Sequence, residues 1–184
     1  MKSMTFISLL RGVNVSGQKL IKMADLKAMY EAIGLNNVTS YVQSGNVIFQ
    51  ATEKDARKLE QVLESNIAET FGFHVPVRVL TLSEMKNVLD KCPFGPKIVA
   101  KDPTKVLVSF LSARPDDGAI AQIEAVASKS EQIRFDSQLA YLYCPDGYGK
   151  SKLNNNFLEK KLKLISTTRN WKSVQKLYEL AVSK

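Results

Sequence analysis

The apolar residues of this chain change period several times, and the order of the changes recurs. Thr5–Leu10 has the pattern of a buried strand, after which Leu26, Met29, Tyr30 and Ile33 fall at helical spacing and stop at Gly34. Val38–Gln43 and Val47–Phe49 are β-rich runs on either side of Ser44-Gly45-Asn46, a tripeptide suited to a tight hairpin turn. Leu59, Val62, Leu63, Ile67 and Phe71 trace one apolar stripe and predict a long second helix. Val75–Leu80 follows as a strand with Pro76 near its start. The first half therefore reads βαββαβ.

The pattern then returns. Thr81-x-x-Glu84 is a capping box for a short helix carrying Met85, Val88 and Leu89, and Phe94-Gly95-Pro96 reads as a connector. A strand over Val106–Leu111 precedes a helix launched by Pro115-Asp116, with Ile120 and Ile123 inward. Gln132–Phe135 and Leu139–Tyr143 form a second hairpin around Asp136-Ser137. A helix from about Ser151 carries Leu153 and Phe157, and a final helix from about Asn170 carries Trp171, Val174, Leu177 and Tyr178. The fold expected is α+β, with two tandem ferredoxin-like subdomains of βαββαβ type and mostly antiparallel sheets. Residues 1–82 form the first, and residues 83–184 the second with an extra C-terminal helix.

Composition narrows the function classes without naming one. With 184 residues, 45% hydrophobic and 24% charged, the chain is of ordinary globular make-up and is neither disordered nor collagen-like. The apolar run Met4–Leu10, broken by Thr5 and Ser8, falls far short of the ~20 residues that cross a bilayer, so no membrane partner is expected. It also lacks the features of a signal peptide. Cys92 and Cys144 each precede a proline, the single histidine is His74, and there is no C-x-x-C pair. A reduced, cytoplasmic protein with no metal and no cofactor is the expectation. The net charge of +8 is concentrated: Lys150–Lys176 holds eight basic residues against one acid, Glu159. Such a segment attracts polyanions weakly through its summed field, or is a solvated lysine-rich helix face.

Motifs for known chemistries were weighed against these elements. Cys144-Pro145-Asp146-Gly147-Tyr148-Gly149-Lys150-Ser151 ends like a phosphate-binding loop, but Cys144 stands where the first glycine belongs. What survives is an anion seat: backbone N–H groups at a helix start, flexible Gly147 and Gly149, and Lys150 or Lys152 nearby. The competing reading is a Ser151 N-cap. RNA binding on the sheet face fails on Gly45-Asn46-Val47-Ile48-Phe49, which lacks the alternating aromatics that stack bases. His74, between Phe73 and Val75-Pro76, reads as structural, and Asp116-Asp117 as a helix start, so no catalytic set is assigned.

Three polar clusters sit at the ends of elements, where loops held by rigid scaffolds carry most binding chemistry. They lie in Leu9-Leu10-Arg11-Gly12-Val13-Asn14-Val15-Ser16-Gly17, in Tyr41-Val42-Gln43-Ser44-Gly45-Asn46-Val47-Ile48-Phe49, and in Thr168-Arg169-Asn170-Trp171. Each has a plain structural reading, with Asn14 and Asn46 shaping turns, Asn170 capping a helix and the arginines pairing with acids. Together they resemble the signatures of a bacterial domain-of-unknown-function family of proteins of this size. Gly147-Tyr148-Gly149-Lys150-Ser151-Lys152-Leu153 is similar to that family's segment before its penultimate helix. Ser16 and Lys150 depart slightly, standing where the family has glycine and often arginine. The resemblance implies a tandem of ferredoxin-like subdomains and brings no established activity. It also implies one site drawn from Arg11, Asn14, Gln43, Ser44, Asn46, Ser151, Lys152, Arg169 and Asn170.

The function expected is binding of a small anionic or phosphorylated ligand in a cleft between subdomains, with Arg11, Asn14, Asn46 and Arg169 converging. Two alternatives stand beside it. One is non-specific binding of nucleic-acid backbone through the basic C-terminal segment, and the other is a hydrolase or transferase acting on a phosphorylated metabolite. Oligomeric state is not readable from the sequence.

Overall fold

A computed structural model describes residues 3–15, 17–127 and 130–184. Ser16, of the first polar cluster, lies outside them. The chain divides into two compact units, Met1–Asn87 together with Lys176–Lys184, and Val88–Gln175.

In the first unit the elements run β1 (Met4–Leu10), α1 (Met23–Ala32), β2 (Asn36–Tyr41), β3 (Asn46–Ala51), α2 (Ala56–Phe71) and β4 (Val77–Thr81). The four strands form an antiparallel sheet in the order β2-β3-β1-β4. Alternation puts Phe6 and Leu10 on the helix-bearing face, where they are buried with Phe49, Leu26, Tyr30, Leu63 and Ile67. Register sets Phe6 opposite Phe49, and the rings stack at 5.8 Å while Tyr30 meets Phe49 edge-on at 5.6 Å. Ser8 shares a hydrogen bond of 3.0 Å with the Tyr30 hydroxyl and donates to the Val47 carbonyl, so this buried polar pair is satisfied. Val62 departs from the expected stripe, being 47% exposed at the rim of the core. Pro76 precedes β4, where its missing N–H costs no ladder bond.

The second unit begins at the end of α3 (Leu82–Asp90) and runs α4 (Pro96–Lys101), β5 (Val106–Leu111), α5 (Asp117–Glu124), β6 (Gln132–Asp136), β7 (Leu139–Tyr143), α6 (Asn155–Leu162) and β8 (Ser166–Asn170). α7 (Trp171–Val182) follows. The sheet is again antiparallel, in the order β6-β7-β5-β8. Leu107, Leu111, Ile133 and Leu142 are buried with Ile123 of α5 and Leu158 of α6. The capping box forms as read: the Thr81 hydroxyl accepts from the Glu84 N–H at 3.1 Å, and the Glu84 carboxylate accepts from the Thr81 N–H at 2.8 Å. Asp116 caps α5 through the N–H groups of Gly118 and Ala119.

Three readings are corrected here. The connector after Phe94 folds into α4, because Gly95 takes an extended N-cap conformation and Pro96 suits the first helical turn. The helix expected from Ser151 begins at Asn155, because Asn154 accepts from the Phe157 N–H at 3.0 Å and takes the capping role. Ser166–Asn170 is a strand although nearly all polar, held along Leu111–Leu107 of β5. With β8 the second unit also has the βαββαβ order.

Candidate functional site

The residues expected to bind ligand fall into one cluster in each unit. In the first unit, β1 pairs with β3 so that Leu9 faces Asn46, and the loop after β1 meets the turn before β3. The Leu10 N–H donates to the Gly45 carbonyl at 2.8 Å, and the Arg11 N–H donates to Pro76 at 2.9 Å. Gly45 has φ +69°, and a β-carbon there would lie 2.6 Å from Cγ2 of Val13 and 2.7 Å from Cβ of Leu10, so only glycine fits. Asn14, itself at φ 56°, donates to the carbonyls of Ile21 and Gln43 at 2.9 and 2.8 Å and accepts from the Ile21 N–H at 2.9 Å. Asn46 is buried and donates to the Tyr41 carbonyl and the Ser44 hydroxyl at 3.1 and 2.9 Å. The structure thus brings Arg11, Asn14, Gln43, Ser44 and Asn46 together at one end of the sheet. The Asn14 amide joins the loop to the turn, and the Asn46 amide braces the turn itself. Lys19 ties the same loop to the chain before β4, donating to the His74 carbonyl at 2.8 Å.

In the second unit the expected residues gather at the end of the sheet where β5 begins. Val106 pairs with Tyr143, and Leu107 pairs with Asn170. Asn170 accepts from the Ser173 N–H at 2.8 Å and so caps the first turn of α7, while Arg169 donates to the Thr168 carbonyl at 2.9 Å. After β7 the chain passes through Cys144 into a 3-10 turn at Tyr148–Lys150 and reaches Ser151, which is buried and accepts from the Leu153 N–H at 2.9 Å. Burial raises the Cys144 thiol above its ordinary value, a hydrogen bond with Ser151 works against that rise, and Glu131 and Lys105 act on it through space. Cys144 is therefore a protonated packing residue near neutral pH.

The Gly147–Lys152 segment is not the start of an α-helix. Its N–H groups at Gly147, Lys150 and Ser151 bond to the carbonyls of Cys144, Gly147 and Tyr148, so these three donors of the expected cradle are used up. Side chains define the site instead. A cavity of about 440 Å³ is lined by Val126, Glu131, Asp146, Gly147, Lys150, Ser151 and Lys152, within the range of small-molecule sites. It holds two expected residues, Ser151 and Lys152. It also adds Glu131 and Asp146, which the sequence reading missed. Asp146 lies within the motif, whereas Glu131 reaches the cavity through tertiary packing alone. A second cavity, about 550 Å³ beside Ile33, Leu35, Leu59 and Val62 in the first unit, is mainly apolar and contains none of the expected residues.

No group of three or more His, Cys, Asp and Glu side chains among the described residues is arranged to hold a metal ion. Among the described residues no helix is long and apolar enough to cross a membrane. The first-strand-central order of both sheets, with helices crossing between strands, defines a protein of two tandem ferredoxin-like α+β subdomains. A family model described as "Protein of unknown function (DUF1697)" matches residues 4–141, and the chain belongs to that family. No curated protein matches it. The chain is similar to the conserved bacterial protein SP0830 from Streptococcus pneumoniae, with 24% identity over 98% of this chain and 99% of the other, at a TM-score of 0.73. At that identity the likeness concerns the fold.

Proposed function

We propose that this protein binds a small anion-bearing ligand, a phosphate ester or a carboxylate, and that the cavity beside the 3-10 turn of the second unit receives it. The carrying observation is that Lys150 and Lys152 line this cavity with the buried Ser151. Two ammonium groups lining one cavity repel each other, and an anion held there relieves that repulsion. In the first unit the joined β1–α1 loop and β2–β3 turn place Arg11 and Gln43 at one end of the sheet, a supporting polar surface.

The test is a thermal-shift panel of phosphate monoesters and carboxylates against their neutral analogues. A true ligand at a hundredfold its Kd should add about 2.7 kcal/mol of stability. Lys150→Gln with Lys152→Gln should remove that shift while leaving the unliganded midpoint unchanged, because both side chains are exposed. A panel with no hits, or hits that persist in the double variant, would overturn the proposal.

A second reading has its own support. Lys160, Lys161 and Lys163 are all exposed at the C-terminal end of α6, where Leu158 and Leu162 take the buried positions. That end is a screened cationic field suited to weak, sequence-independent contact with polyanions.

A further inference from the structure

The cavity of the first unit, which holds none of the expected residues, has a lining of a different kind. Its volume of about 550 Å³ is that of a small-molecule site. Leu35, Ala51, Leu59 and Leu63 line it, and all four are buried core residues. Val62 lines it too. This valine belongs to the apolar stripe of α2 and is nevertheless 47% exposed, so part of the apolar lining lies open to water. At Gly34, also in the lining, a β-carbon would meet nothing within 4 Å, so the chain leaves room there as well.

The charged residues of the lining are Glu53 and Lys58, and they are engaged with each other. One Glu53 carboxylate oxygen accepts from the N–H groups of Lys54 and Asp55 at 2.7 and 2.9 Å, and the other lies 3.8 Å from Nζ of Lys58. These backbone bonds, that of Asp55 foremost, hold the Glu53 carboxyl below its usual range. Backbone donors are spent as well: the N–H groups of Ile33, Gly34 and Leu35 bond to the carbonyls of Met29, Glu31 and Tyr30, closing the end of α1. What remains is Thr52 and Gln61, whose side chains bond to no described residue and can each donate and accept.

A charged ligand would give up hydration for a lining whose ions already pair with each other, and would have to break that pair to find a partner. An uncharged apolar ligand meets no such cost and covers Val62 and the leucines. One hydroxyl or N–H on it has Thr52 and Gln61 to meet.

We infer that this cavity is a second ligand site, independent of the anion-binding reading, and that it takes a compact, uncharged apolar molecule bearing one hydroxyl or N–H group, such as a phenol or an indole.

Three probes built on one ring system test the inference: 2-naphthol is uncharged at neutral pH, 2-naphthoate is an anion and 2-naphthylmethylamine is a cation. Titrated into the full chain, 2-naphthol should bind about tenfold more tightly than either charged probe. The amide shifts it causes in two-dimensional NMR should gather in residues 33–35, 51–53 and 58–63. Val62→Glu, at an exposed helical position, should leave the thermal midpoint largely in place and weaken 2-naphthol binding about tenfold. Absence of 2-naphthol binding, shifts centred elsewhere, equal affinity for a charged probe, or undiminished binding in the Val62→Glu variant would each overturn the inference. None of these outcomes bears on the lysine-lined cavity of the second unit, whose reading stands or falls by its own panel.

Discussion

At the scale of single residues, glycines of similar conformation carry different weight. Gly34 (φ +86°) and Gly45 (φ +69°) are both in the left-handed region, but a β-carbon would meet nothing within 4 Å at Gly34 and would collide with Val13 and Leu10 at Gly45. Gly34→Ala should cost about 1 kcal/mol, the conformational penalty alone. Gly45→Ala should cost about 3 kcal/mol, because overpacking adds to that penalty. Denaturant midpoints of the two variants would measure the difference. Tyr30 yields a prediction with a pH sign. Its hydroxyl is fully buried, and burial pushes its pKa well above the ordinary tyrosine value, only partly opposed by the hydrogen bond with Ser8. The unfolded chain releases this proton near pH 10 and the native chain keeps it. The stability linked to Tyr30 is therefore fully present below about pH 10 and is lost as pH rises beyond that. Stability measured from pH 8 to pH 11 should fall at the alkaline end, and Tyr30→Phe should flatten the fall.

At the scale of elements, helix side chains hold the outer strands. β4 is an edge strand, and its outward N–H groups at Val77 and Val79 are accepted by Glu64 and Glu60 of α2 at 2.8 and 2.9 Å. One helical turn separates the two carboxylates, matching the two-residue repeat of the strand. In the second unit, Glu159 of α6 likewise accepts from the Ser166 N–H of edge strand β8 at 3.0 Å. Asn155 accepts from the Ser166 and Thr168 hydroxyls, at 3.0 and 2.5 Å. Such contacts also blunt an edge against pairing with another chain. Glu64→Ala should destabilise by about 1–3 kcal/mol through the orphaned N–H of Val77, and hydrogen exchange at that amide should accelerate. Glu64→Gln retains an acceptor oxygen and should cost less. These contacts explain why β8 was illegible. Ser166-Thr167-Thr168-Arg169-Asn170 has no apolar alternation, and its strand conformation comes from β5 on one side and α6 on the other.

At the scale of the whole molecule, charge is the property most directly inherited from composition. Most of the net +8 lies between Lys150 and Lys176, and α6 ends in three exposed lysines. Binding to a single-stranded RNA homopolymer should be weak and steeply salt-dependent. Replacing Lys160, Lys161 and Lys163 by Gln should reduce the slope of log K against log salt by about 2, without moving the thermal midpoint. A slope unchanged by the triple variant would place polyanion binding elsewhere. Stabilisation by a phosphate monoester or carboxylate at the cavity of Lys150 and Lys152 should survive the same substitutions, since none of the three lysines lines it.

Local chemistry in the chain was enough to set the order of the elements other than α4 and β8, the two hairpins, and the capping box at Thr81 and Glu84. Each depends on residues within a few positions of one another, where periodicity, positive-φ turns and side-chain caps act directly on the backbone. What the tertiary structure alone decided depends on distant partners. It set Asn14 to bond the carbonyl of Gln43 across from loop to turn, because the pairing of Leu9 with Asn46 brings those segments into contact. It also carried Glu131 to the lysines at 150 and 152, so the charge balance of the cavity is a product of packing, invisible to any window along the sequence.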